Sequence, residues 1–131
     1  MKNTLTNGPY KELDPLGKDP HEPGAKLDAE KKKLYTHLLT YFPRALEAVC
    51  EVSEFGAKKY TRMGWSTVPD GLGRYTDALL RHLSAEAKDE FYDKDSGLKH
   101  AAQVAWNALA RLELILLAIN PKKSSTVSDM W

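Results

Sequence analysis

The sequence has one cysteine in 131 residues, Cys50, so no disulfide can close within the chain, and this thiol usage suits a reducing cytoplasm. It also lacks an excess of either charge. Nineteen Lys and Arg stand against 18 Asp and Glu, a formal net charge of +1. Binding to nucleic-acid polymers or to anionic membrane needs a concentrated basic surface, and neither partner is expected here. The one basic run, Lys31-Lys32-Lys33, reads as a solvated helix end. Long apolar runs are missing too: Leu112 to Ile119 is interrupted by Glu113 and is too short to span a bilayer. The opening "MKNTLTNGPYKELDP" has no apolar segment of the kind a secretory signal carries.

What is present is the composition of a soluble globular domain, 42% apolar and 28% charged. Residues 1–28 hold Pro9, Pro15, Pro20 and Pro23 without sustained periodicity and are expected to form an irregular arm. Residues 121–131 begin at a helix-stopping proline and read as a tail, with Trp131 pinned at its end. Between them, residues 29–120 carry helical patterns and no convincing strand. A first helix is expected from the N-cap candidate Asp28 to about residue 42, through Leu34, Leu38 and Leu39. A second starts at Pro43 and runs to about Tyr60, with Ala45, Val49, Val52 and Gly56 on one face and Cys50 as a small core residue. After a turn-rich loop, "TRMGWSTVPDGLG", a third covers roughly residues 73–91. The fourth runs from about Leu98 to Asn120, its inward stripe expected at Leu98, Ala101, Ala105, Ala108, Leu112 and Ile115. The fold class is all-α, a four-helix-bundle-like arrangement.

Two acidic motifs carry the chemistry. On the second helix Glu47, Glu51 and Glu54 share a face with Lys58, which by itself is the pattern of a solvent-exposed side. On the third, Tyr75, Leu79, His82, Glu86 and Asp89 continue one stripe whose first half is apolar. Carboxylates on an inward stripe require a counter-charge, and a divalent cation supplies one. Glu51/Glu54 and Glu86/Asp89 thus form E-x-x-E and E-x-x-D pairs. Antiparallel packing across the 61–72 loop would bring them face to face. Carboxylates without cysteine suit Mg²⁺ or Mn²⁺, ions that also bind polyphosphate oxygens.

The order of these pairs resembles the MazG-like all-α nucleoside triphosphate pyrophosphohydrolases. Several blocks, "GAKLDAEKKKL", "FGAKKY…W", "ALLRHL" and "DSGLKHAAQVAWNAL", look like the phage dATP/dGTP diphosphohydrolase family of the MazZ type. That resemblance implies metal-dependent cleavage between the α and β phosphates of a purine dNTP, dGTP first and then dATP, to dNMP and pyrophosphate. In phages that use 2-aminoadenine this step supplies dGMP. The resemblance also implies a dimer or tetramer in the host cytoplasm. Glu51, Glu54, Glu86 and Asp89 would be the metal ligands, with Glu51, Glu54 and Glu86 at the catalytic centre. The phage family's acidic signature, Gly-Glu-x-x-Asp before "SGL", instead aligns with Asp89, Glu90 and Asp93, so Glu90/Asp93 competes for the second pair and Glu90 joins the candidate ligands.

Lys59 and Tyr60 are candidate phosphate and nucleoside contacts, or a helix end. Trp65 is a purine platform or a plug at the core edge. His82 touches substrate or is a hydrogen-bonded core histidine. His100, Gln103, Asn107 and Arg111 form a polar stripe read as a solvent face or oligomer seam, with Asn107 the candidate reader of a base edge. The reading from another class is a non-catalytic helical adaptor whose acidic faces are merely solvated.

Overall fold

The computed structural model describes residues 11–120, so the amino-terminal decapeptide and the expected tail with Pro121 and Trp131 lie outside the described residues. The chain divides into two compact units, and the border falls between Tyr41 and Phe42, beyond the arm's expected end at residue 28.

The first unit is organised by Asp14. Its carboxylate accepts the backbone N–H groups of Leu16, Lys18 and Lys26 at 2.8, 3.2 and 2.9 Å. These bonds, Lys26's foremost, hold its pKa below the ordinary value. The Ala29 N–H donates to Leu13 O at 2.9 Å and the Lys11 N–H to Glu30 at 2.7 Å, tying the two ends of the arm together. Of the expected first helix only a π-helical turn forms, Tyr35–Leu39. Residues 31–40 are all exposed. A short helix whose apolar side is exposed lacks the tertiary support that stabilises most helices.

In the second unit helix α1 spans Pro43–Lys59, opened by proline in its first turn and closed by the Tyr60 N–H on Gly56 O, as the sequence led one to expect. A 3₁₀ turn, Gly64–Thr67, leads to α2, Gly71–Ala87, and then to α3, His100–Ile119. The described residues contain no strand, only an isolated bridge between Tyr92 and Lys99, and the fold is all-α. Helix α3 is central: α2 makes its most extensive contact with it, and α1 packs on it as well.

The seams of α3 are specific. Trp106 Nε1 donates to Ser53 Oγ of α1 at 2.8 Å, and Arg111 Nε to Thr76 Oγ1 of α2 at 2.6 Å. Gly71 packs closely against α3, where a Cβ would stand 3.1 Å from Leu114 Cδ1. Trp65, Tyr75 and Trp106 meet edge to face with centroids 5.6–6.5 Å apart, and the Tyr75 hydroxyl donates to Trp65 O. Burial pushes the Tyr75 phenol's pKa up.

The faces of α3 are the reverse of those expected. The polar stripe turns inward, with His100 3% and Asn107 5% exposed, beside buried Ala102 and Ala110. Of the expected apolar stripe Ala101, Ala108, Leu112 and Ile115 are exposed, as is Ile119 beyond them, while Leu98 and Ala105 are partly buried. An apolar stripe identifies a covered face only if the cover belongs to the same chain, and here α1 and α2 sit on the other side. By length and composition α3 also satisfies the test for a membrane-crossing helix, with a mean hydropathy of 1.4. Its histidine, asparagine and arginine are nevertheless committed to contacts inside the chain. Cys50 is exposed rather than part of the core.

Candidate functional site

The site is built where α2 stops. The Asp89 N–H donates to Glu86 O at 2.9 Å, and the Glu90 N–H reaches back to Ala85 O at 3.0 Å. With Asp89 in the left-handed region at φ 65°, this is a Schellman ending with Asp89 at the position glycine usually fills. The helix therefore ends at Ala87 instead of near residue 91, and Asp89 does not continue the stripe of Tyr75, Leu79, His82 and Glu86. The same ending fixes the backbone of Glu90.

The following loop folds back on itself. The Asp93 N–H donates to Leu98 O at 2.8 Å and the His100 N–H to Phe91 O at 3.1 Å. Gly97 turns at φ 74°. Asp93 Oδ1 accepts the Asp95 N–H at 3.1 Å, while Oδ2 accepts Ser96 Oγ at 3.0 Å and Gln103 Nε2 at 2.9 Å. The loop thereby delivers the first turn of α3 to the two acids that precede it.

His100 is the hub. Its Nε2 lies 2.7 Å from Glu90 Oε2 and its Nδ1 lies 2.8 Å from His82 Nδ1. A carboxylate only accepts, so Nε2 donates to Glu90, and the two facing Nδ1 atoms share a single proton between the rings. The bond from His100, with help from Lys94 at 3.3 Å, holds the Glu90 carboxyl below its usual range. Burial pushes Asp93 up, but the bonds from Gln103, the Asp95 backbone and Ser96 outweigh it and leave its pKa lowered. Burial lowers the pKa of His82, opposed by the charge of Asp93.

The other candidate residues are dispersed. Glu51 and Glu54 lie on the exposed side of α1, where Glu54 Oε1 accepts Cys50 Sγ at 3.4 Å. That bond, followed by burial, raises the pKa of the thiol. Glu86 and Asp89 line an open depression of about 490 Å³ with Leu83, Ala87 and Phe91. Lys59 and Tyr60 are exposed at the end of α1, the ammonium 5.4 Å from the tyrosine ring centroid. Trp65 is half-buried as a plug against Tyr75 and Trp106. Asn107 is buried on α3, its amide donating to Gln103 O one turn back at 2.8 Å. His82 is half-buried and hydrogen-bonded to His100.

Oxygen donors without thiolates suit a hard divalent ion. Among the described residues, however, no three His, Cys, Asp or Glu side chains converge so that they could hold one. The acids stand as separate pairs, right in kind for Mg²⁺ or Mn²⁺ and short of a complete shell. What sequence reasoning missed is the support behind Glu90 and Asp93. Its signal was present, because His100 and Gln103 begin the polar stripe, but periodicity does not say which side of a helix is covered.

The family described as "dATP/dGTP diphosphohydrolase, N-terminal" matches residues 22–123. A curated protein of Salmonella phage PMBT28, named "dATP/dGTP diphosphohydrolase", is 36% identical over 63 residues. That alignment covers 48% of this chain and 21% of the phage protein, so the match spans about a fifth of the relative's length. No solved structure matches.

Proposed function

Because the chain belongs, over residues 22–123, to the dATP/dGTP diphosphohydrolase family, we propose that it hydrolyses a purine deoxynucleoside triphosphate to the monophosphate and pyrophosphate. The observation that carries this reading is the Glu90-x-x-Asp93 pair, inside the matched stretch and held from behind by His100 and Gln103. We take Glu90 and Asp93, instead of Glu86 and Asp89, as the second acidic pair, with Glu51 and Glu54 as the first. The reason is local: Asp89 serves the helix ending, whereas both Glu90 and Asp93 are oriented by α3.

Mg²⁺ or Mn²⁺ held by these carboxylates would supply positive charge against the triphosphate and lower the pKa of a water. The chain's own contributions are separate. The Lys59 ammonium meets phosphate oxygens as a point charge, and the exposed Tyr60 ring offers a face to the nucleoside. dGTP is the first substrate to test and dATP the second. A homo-oligomer is part of the proposal, supported by the exposed apolar stripe of α3.

Product analysis tests it. Each dNTP is incubated with Mg²⁺ or Mn²⁺, and the expected products from dGTP or dATP are pyrophosphate and the dNMP. Tripolyphosphate with free nucleoside would place the cut at another bond and overturn the mechanism. Glu54→Gln and Glu90→Gln are expected to lower turnover at least 100-fold with the helical content unchanged. No turnover together with no thermal shift on saturating Mn²⁺ and nucleotide would leave the non-catalytic adaptor, since a ligand of the folded state must stabilise it.

A further inference from the structure

We propose that residues 31–39 of one copy dock into the depression at the end of α2 on a second copy, a lysine-led amphipathic segment seated on an acid-rimmed apolar floor. The contact is a further seam of the homo-oligomer proposed above. It is separate from the α3 stripe and from the catalytic reading, and its failure would leave both standing.

The depression holds charge without a counter-charge. Among the described residues, neither the Glu86 nor the Asp89 carboxylate has a hydrogen-bonded or ionic partner. Glu86 is half-buried beside Leu83, Ala87 and Phe91, which supply the apolar lining of the space of about 490 Å³. Carboxylates set against apolar surface favour an occupant that brings cations and covers that surface in the same act. The lining is fixed in advance. Phe91 O accepts the His100 N–H at 3.1 Å, and the Tyr92 ring meets the Phe91 ring edge to face with centroids 5.0 Å apart. Leu83 and Phe91 nevertheless remain 46% and 53% exposed.

Residues 31–39 carry the complement. Lys31 and Lys32 are exposed, and their ammonium groups meet no acceptor among the described residues, while Lys33 donates to the carbonyls of Ala29 and Lys31. Directly after them come Leu34, Tyr35, Leu38 and Leu39, all exposed. In an α-helical segment Leu34 stacks over Leu38 and Tyr35 over Leu39, so the four form one broad apolar face with the lysines at its amino-terminal end. That is the pattern of a helix laid into a groove, apolar face down and charges at the rim. It also accounts for the single π-helical turn at Tyr35–Leu39, because docking supplies the packing that a longer helix needs. Every copy carries both halves of the contact. Two copies therefore exchange it reciprocally, and a twofold pair closes with neither surface left open.

The experiment uses two charge-altered forms of the full chain. One carries Lys31→Glu and Lys32→Glu. The other carries Glu86→Lys and Asp89→Asn, asparagine being tolerated at the left-handed backbone of position 89. Circular dichroism checks the fold, and each form is titrated against a fluorescently labelled copy of itself and of the other. Each form with itself sets like charges across the seam and is expected to associate at least about 10-fold more weakly than wild type. The two forms mixed set opposite charges at both halves and are expected to associate within about threefold of wild type, with a rise in helical content. Contacts through α3 are common to every pairing and cancel in the comparison. A mixed pair that binds no more tightly than either form with itself would overturn the contact. Recovery that survives Leu34→Asp with Leu38→Asp would do the same, because the apolar face would then not be what docks. Unchanged self-association of the Lys31→Glu, Lys32→Glu form would also sink it, which keeps the test decisive if the other form does not fold.

Discussion

His82 owes its altered proton affinity to being buried where α2 meets α3, and the sign of its effect on stability follows directly. Its pKa is lowered from the ordinary 6.5, so the folded chain declines a proton that the unfolded chain accepts as pH falls through that value. Stability contributed by neutral His82 is complete above the unfolded pKa and is lost as pH falls through 6.5 toward the lower folded value. In metal-free protein the melting temperature should therefore drop between about pH 7.5 and about pH 5.5, and His82→Gln, which cannot titrate, should flatten that drop. An unchanged pH dependence in the variant would contradict it. Glu90 and Asp93, whose pKa values are lowered, act in a separate and more acidic window, where their stabilisation is lost as they protonate. His82 was legible as an inward residue from its place on the Tyr75–Leu79 stripe. Its partner was not, because a hydrogen bond between residues 18 apart depends on how two helices are rolled against each other.

Among the elements, α1 could be read from the sequence almost to its ends, since proline opens it and its last turn carries Lys58 and Lys59. The end of α2 was misplaced because nothing in "AEAKDEFYD" breaks a helix by composition. Asp89 ends it by adopting φ 65°, a conformation that aspartate tolerates and glycine prefers. Asp89→Gly is thus expected to stabilise the chain by about 1 kcal/mol, raising the melting temperature by a few degrees. The measurement is thermal unfolding at pH 7, and a lower melting temperature would show that the Asp89 side chain contributes more than its backbone costs. The acidic pairs were legible as pairs. Which pair is supported from behind depended on the course of the loop from 91 to 99, whose turns rest on Asp93, Ser96 and Gly97 together.

For the whole molecule, the polarity of α3 decides what the chain can do alone. The exposed residues Leu112, 51% accessible, and Ile119, 56%, continue the stripe from Ala101, which runs for roughly 27 Å along the helix at its ordinary rise. A second copy laid on that stripe would bury it, so Leu112→Lys is expected to shift the mass measured by light scattering toward the monomer. A wild-type chain already monomeric at high micromolar concentration would remove this role for the stripe. The connection between α2 and α3 bears on the same face. Glu90 to His100 and Asp93 to Gln103 each span ten residues, so the loop measures out the rotation of α3 against α2. One residue inserted between 94 and 99 would turn the helix by about 100° and slide it by about 1.5 Å, carrying histidine and glutamine away from the acids and rolling the apolar stripe off its outward bearing. Loop length is therefore inherited information in its own right, and a change of one residue there would disturb the contacts to Glu90 and Asp93 and the bearing of the apolar stripe at a stroke.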